Sequence, residues 1–162
     1  MNYATLLATS TFAGALEELD AMLVSGQDTF LDFEDEKLEQ PVIEGKWSRK
    51  EIIGHLIDSA LNNVQRFTRA QIPSHLENGV LITAGYAQND WVRLAKYNQR
   101  DRLAMMELWD TLNEHILEVM RDAAPASLAV LIKIGDGEPM SLEDVFISYV
   151  GHVKHHLSQL TP

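Results

Sequence analysis

No cysteine occurs among the 162 residues, so disulfides, thiolate metal ligands and a cysteine nucleophile are excluded together. Metal or covalent chemistry would have to draw on His, Asp, Glu, Ser, Thr, Tyr or Lys. Basic residues are scarce: thirteen Lys and Arg stand against twenty-four Asp and Glu, a formal charge of −11. That balance repels phosphate backbones and anionic lipid surfaces, which argues against nucleic acid and membrane as partners. No run approaches the roughly 18 apolar residues of a membrane span, and "MNYATLLATSTFAGALEELDAML" lacks the basic start and compact apolar stretch of a secretory signal. The expectation is a cytoplasmic protein. Phosphate-binding loops, nucleophile motifs, fixed-period repeats and low-complexity tracts are also missing.

What the chain does have is 46% apolar composition, enough for one sizeable core and too little length to argue for two. A single domain over residues 1–162 is therefore expected. From about Asn2 to Val24, the residues Leu6, Leu7, Ala13, Leu16, Leu19, Leu23 and Val24 largely share one helical face, and "SGQD" reads as its stop. The acidic connection that follows carries Pro41 and Gly45 and should be loop or short turns. In "WSRKE", Ser48 and Glu51 have the spacing of a capping box, with Trp47 as a staple. They open a second helix from about Arg49 to Gln71, with Ile52, Ile53, Leu56, Ile57, Ala60, Leu61, Val64 and Phe67 as a broad apolar face. A polar, partly aromatic connection comes next, with a helical turn around Trp91.

Asn98 is placed to cap a third helix, about Gln99 to Ala124, with Met105, Trp109, Leu112, Ile116 and Met120 as its stripe. "LAVLIKIGDGEPM" is rich in strand formers and broken by Gly135-Asp136-Gly137, which predicts a small β-hairpin or extended arm. Ser141 and Asp144 then cap a fourth helix, about Leu142 to Leu160. Four long amphipathic helices should bury their stripes against one another, so the expected fold is all-α, a four-helix bundle.

Three of the six histidines crowd into "SYVGHVKHHLSQL". At about 100° per residue, Leu142, Phe146, Tyr149, Val150, Val153, Leu157 and Leu160 form the core side of the fourth helix. His152 and His156 stack one turn apart at its edge, while His155 points nearly the opposite way and reads as solvated surface. Imidazoles at i and i+4 are a common helical means of holding a transition metal, and a stable site wants a third ligand. His55 on the second helix is a candidate, although it falls about 60° outside the apolar face, in a polar stripe with Glu51, Ser59, Asn62 and Arg66. That stripe is either solvent face or the wall of a groove where the fourth helix approaches. On periodicity alone, ligands and a polar core edge are equally good readings of His152 and His156.

"KWSRKEIIGHLIDSALNNVQRF" with "YVGHVKHHLSQL" far downstream resembles the DinB-like superfamily, in particular the branch of YfiT-type metal hydrolases and bacillithiol S-transferases. The resemblance spans nearly the whole chain, including "AGYAQNDWV" before the third helix. It implies a four-helix bundle in which one histidine of the second helix and an H-x-x-x-H pair of the last bind a divalent metal. On this chain those positions are His55, His152 and His156. Zinc or nickel suits such imidazole ligands, and iron or manganese is compatible with them. Three neutral ligands leave an open position, which implies a metal-dependent hydrolase or a transferase acting with a low-molecular-weight thiol on a small-molecule substrate. The competing reading is a non-catalytic bundle that binds a small ligand or partner protein.

The remaining candidates are weaker. Glu51 could act as a catalytic base, although the capping box already explains it. Asn62 and Arg66, on the His55 stripe, and Tyr149 could contact substrate. Tyr86, Trp91 and Tyr97 could wall a pocket, but aromatic residues in a connection more often pin it to the bundle. Trp47 and Trp109 read as packing residues, and His75 and His115 as surface. Relatives of this kind are frequently homodimers, and the broad apolar face of the second helix is the candidate interface.

Overall fold

The computed structural model describes residues 11–161. Leu6 and Leu7 of the expected first helix lie outside them. Four long helices dominate: α1 (Phe12–Leu31), α3 (Arg49–Ala70), α5 (Arg102–Arg121) and α7 (Leu142–Leu157). Short helices α2 (Asp35–Leu38), α4 (Gln88–Ala95) and α6 (Pro125–Leu128) lie in the connections, as do strands β1 (Val80–Thr83), β2 (Leu131–Ile134) and β3 (Met140–Ser141). No helix among the described residues is long and apolar enough to cross a membrane.

Helix α1 runs straight through "SGQD", seven residues past the expected end at Val24. Its buried positions Leu19, Met22, Leu23, Gly26 and Phe30 keep a three-to-four residue spacing across the supposed stop. Gly26 faces inward: a Cβ there would lie 3.1 Å from both Trp109 and Leu157. The glycine is a point of close approach to α5 and α7 rather than a helix end. Ser25 and Thr29 turn their hydroxyls back onto the carbonyls of Ala21 and Ser25. Val24, expected on the core face, is 66% exposed.

The capping box of α3 forms as the spacing predicts: Glu51 N–H donates to Ser48 Oγ at 3.1 Å and Ser48 N–H to Glu51 Oε2 at 2.9 Å. Ser141 caps α7 by accepting from the Asp144 amide at 3.0 Å. Helix α5 departs from expectation, because Asp101 rather than Asn98 is its cap and accepts from the Ala104 amide at 2.8 Å. Asn98 sits in a one-turn 3-10 segment, where its Oδ1 accepts from Ser48 Oγ at 2.6 Å. It ties the 97–99 turn to the start of α3 instead. Helix α7 ends at Leu157, and Leu160, fully buried, packs from the turn beyond.

The expected hairpin is part of a larger structure. β2 and β3 pair antiparallel, and β1 adds in parallel on the other side of β2, giving the order β1-β2-β3. β1 comes from a stretch expected to be polar connection, where only "VLIT" is apolar and four residues give too short a pattern to separate strand from loop. Leu81 and Ile132 are opposite one another and buried, so this small sheet closes one end of the core. The helical turn expected around Trp91 is the eight-residue α4.

In the bundle, α1 packs chiefly on α5 and α7, and α3 packs chiefly on the same two helices. Helices α1 and α3 are thus diagonal to one another, as are α5 and α7. Two connections therefore cross the bundle: one carries α2, and the other carries α6, β2 and β3. Helices α3 and α7 are antiparallel neighbours. Phe67 near the end of α3 meets Phe146 near the start of α7 at 5.7 Å between ring centroids. At the other end, Arg49 Nε donates to the Leu160 carbonyl at 2.9 Å. The apolar face of α3 is spent on these contacts: Ile52, Ile53, Leu56, Ile57, Ala60 and Phe67 are all buried within the chain, each full burial contributing roughly 1.5–3 kcal/mol. Leu61 alone of the large residues on that face is exposed.

Candidate metal centre

The antiparallel pairing of α3 and α7 puts the N-terminal part of one beside the C-terminal part of the other, and with them His55 beside His152 and His156. One ring nitrogen from each of the three lies within 4.8 Å of those of the other two, an arrangement that could hold a metal ion. The ring centroids are 4.5 to 5.0 Å apart. His55 Nε2 faces His152 Nε2 at 3.0 Å. Two nitrogens bound at about 2.0–2.1 Å to one tetrahedral ion would be about 3.3 Å apart, close to the separation of this pair.

Of the two readings left open for the polar stripe of α3, the groove wall is the one found. His55 is 1% exposed, and Asp58, Ser59, Asn63 and Arg66 are buried beside it. Desolvation penalises the imidazolium form, and neighbouring histidines add to the penalty. Burial, then the charge of His156, pushes His55 down to about 3. Burial, followed by the charges of His156, His55 and His155, brings His152 to about 3, and His156 falls to about 4, mainly through burial. All three are neutral near pH 7, the state in which an imidazole nitrogen offers a lone pair.

The cluster contains no carboxylate. Among the described residues, Nδ1 of His55 and Nδ1 of His152 are buried without a hydrogen-bond partner, and their Nε2 atoms pair with each other. A hydrogen bond shared between the two Nε2 atoms and a cation bound by them both leave these Nδ1 atoms without a partner. A shared proton engages two of the three rings, whereas three converging imidazole nitrogens are a donor set that suits a transition-metal cation.

Aromatic rings surround the cluster. Trp47, read from sequence as packing alone, lies 4.8 Å from His55 and 6.2 Å from His156 between centroids. Tyr86 stacks over His55 at 6.5 Å and meets Trp91 at 5.1 Å. Trp47 also lines an open cavity of about 310 Å³ with Glu51, Lys96 and Asn98. His155 departs from the expected solvated surface: it is half-buried, its ring 5.0 Å from His156. Gln159 joins the two, one end of its amide 2.9 Å from His156 Nδ1 and the other 2.9 Å from His155 Nε2. Gln159 was not among the candidates, although its positions three and four after the two histidines were the available signal.

The other candidates are engaged with the protein itself. Glu51 holds the Ser48 amide. Asn62 donates to the Asp58 carbonyl at 2.8 Å. Arg66 donates to Asn63 Oδ1 and to the Ala84 carbonyl, at 3.2 and 3.3 Å, which ties α3 to the segment carrying Tyr86. Buried Tyr149 donates to Asn113 Oδ1. Tyr97 donates at 2.6 Å to Asp58 Oδ1, while burial raises the Asp58 carboxyl against the opposing effect of that bond.

The sequence profile of the DinB superfamily fits residues 13–160, and the chain belongs to that superfamily. A protein of Oceanobacillus iheyensis named "putative metal-dependent hydrolase" is 25% identical over 97% of this chain and 86% of its own length. One of Halalkalibacterium halodurans with the same description is 26% identical over 72% of this chain and 65% of its own. Among solved structures, YfiT from Bacillus subtilis, described as "a probable metal-dependent hydrolase with an unusual four-helix bundle topology", superposes with a TM-score of 0.81 at 20% identity, covering 92% of this chain and 83% of that one. A mycothiol-dependent maleylpyruvate isomerase gives 0.74 at 13% identity, over 94% of this chain and 63% of that one. At those identities the structural matches establish the fold.

Proposed function

We propose that this protein is a metal-dependent enzyme that holds a divalent ion through His55, His152 and His156 and acts on a small molecule. The observation that carries this reading is the convergence of three neutral imidazoles, His55 and His156 buried and His152 half-buried, with no carboxylate among them. Zinc or nickel fits an all-imidazole set, and iron or manganese is compatible with it. Once bound, the ion would supply Lewis acidity that makes water or a thiol a stronger nucleophile near neutral pH.

The chain's own part is to keep the rings deprotonated by burial, to aim them from two rigid helices, and to shield them with Trp47 and Tyr86. Three protein ligands fall one short of a tetrahedral set, which leaves room for a reacting group. Hydrolysis is the first reading, supported by the description of relatives aligned along most of the chain. Transfer involving a low-molecular-weight thiol is the second, favoured by the fold shared with a mycothiol-dependent isomerase.

Metal analysis of untagged protein tests the assignment. The expected result is one divalent ion per chain in the wild type, and its loss in His55→Ala, His152→Ala and His156→Ala. Stoichiometry unchanged in any variant removes that residue from the site. Normal folding without metal, together with no metal-dependent turnover of ester, amide or thiol-plus-electrophile substrates, would instead identify a non-catalytic binding bundle.

A further inference from the structure

We propose that Gln159 is a positioning residue of the histidine cluster: its amide decides which nitrogen of His156 carries the ring proton, and therefore whether Nε2 is left as a lone pair that the cluster can use. The inference rests on His156 being a ligand and adds a residue to that site.

An amide side chain has an acceptor end and a donor end. Gln159 Oε1 faces His156 Nδ1 and Gln159 Nε2 faces His155 Nε2, both at 2.9 Å. An oxygen there requires His156 Nδ1 to be the N–H. A neutral imidazole has a single ring proton, so His156 Nε2 is left as a lone pair. Turning the amide over would place the proton on His156 Nε2, the nitrogen that Gln159 leaves free, and would oppose ligation through it. The orientation of one surface-turn amide and the availability of a buried lone pair are thus the same variable.

Two features hold that amide in place. His155 Nε2 accepts from its nitrogen end, which gives a role to a histidine whose spacing points it away from the cluster. The backbone of the turn is also fixed. The Gln159 amide donates to the His156 carbonyl at 3.1 Å. The next residue, Leu160, is fully buried and accepts from Arg49 at the start of α3, the helix that carries His55. His55 and His152 have no such outer partner, their Nδ1 atoms being unsatisfied among the described residues. Outer hydrogen bonds of this kind orient a ligating imidazole and set its tautomer, and their removal typically lowers metal affinity by about 10–100-fold.

Two measurements test this. In metal-free, ¹⁵N-labelled protein at pH 7.5, long-range ¹H–¹⁵N correlation of the histidine rings should show His156 as the Nδ1–H tautomer. Gln159→Leu should convert it to a mixture and weaken zinc binding, read by competition with a chromophoric chelator, by roughly 10–100-fold. Gln159→Glu keeps an acceptor at the same place and should restore both the tautomer and the affinity. An Nε2–H tautomer in the wild type, or a Gln159→Leu protein with unchanged tautomer and affinity, overturns the proposal. If Gln159→Leu does not fold, the wild-type tautomer and the Gln159→Glu affinity decide it. Should the wild type bind no zinc at all, the metal reading fails, whereas the tautomer of the metal-free protein still tells whether Gln159 sets it.

Discussion

His55 Nε2 and His152 Nε2 lie 3.0 Å apart although 97 positions separate them in the chain. Two imidazoles in that relationship, one buried and one half-buried, with a buried third beside them, bear on stability as well as on chemistry, because each is held neutral at a pH where an unfolded chain would protonate it.

Metal should stabilise the fold by linkage. At a concentration one hundred times the dissociation constant, zinc is expected to add about 2.7 kcal/mol to the unfolding free energy, seen as a rise of several degrees in Tm that a chelator reverses. A variant with His55, His152 and His156 all replaced by alanine should give the same Tm with and without zinc.

Acid should destabilise the metal-free protein earlier than carboxylate titration alone would. The folded pKa values of His55, His152 and His156, about 3, 3 and 4, lie below the ordinary 6.5. Between those limits the unfolded state binds more protons, so this contribution is fully present above pH 6.5 and is lost as pH falls toward 4. Each histidine adds a slope of up to about 1.4 kcal/mol per pH unit. Urea unfolding at pH 7.5, 6.0 and 5.0 should show the decline, and the triple alanine variant should show a shallower one.

Gly54→Ala should destabilise the protein, the opposite of the roughly 0.5–1 kcal/mol gain expected for that change in an exposed helix. A Cβ at position 54 would fall 2.0 to 2.4 Å from atoms of the Tyr97 ring. The ring would have to move off α3 and give up its bond to Asp58. Overpacking costs about 1–3 kcal/mol, and a lost buried hydrogen bond adds to it. Equilibrium unfolding checks the sign.

Tyr97→Phe isolates the hydrogen bond. It leaves the packing on Gly54 intact and removes the Tyr97 donor to Asp58 Oδ1, whose companion oxygen has no partner among the described residues. A loss of about 1–3 kcal/mol is expected. The Asp58 carboxyl, already raised by burial, should rise further, since the bond that opposed that shift is gone. Because this group then takes up its proton more readily when folded, its penalty should be largest above the raised folded pKa and relax as pH falls through that value toward the unfolded one. Comparing unfolding at pH 7.5 and 5.0 for Tyr97→Phe and wild type measures this.

The sequence by itself determined the local decisions and the number of long helices. Ser48, Glu51, Ser141 and Asp144 act within four residues of themselves, so their caps were legible at the spacing alone, and so was the one-turn stacking of His152 on His156. It could not determine that "SGQD" continues a helix, because Gly26 is explained only by Trp109 and Leu157 pressing on it from two other helices. Nor could it show that Val80–Thr83 pairs with a strand some fifty residues later, since parallel partners leave no local signature. The histidine centre divides in the same way. Residue type and spacing nominated its members, but periodicity placed His55 outside the apolar face and His155 in solvent. Tertiary structure brought His55 within reach of the pair by setting α3 antiparallel to α7, and an approaching helix turned a polar stripe into the wall of a buried groove. Burial, which only that packing supplies, makes these imidazoles neutral donors.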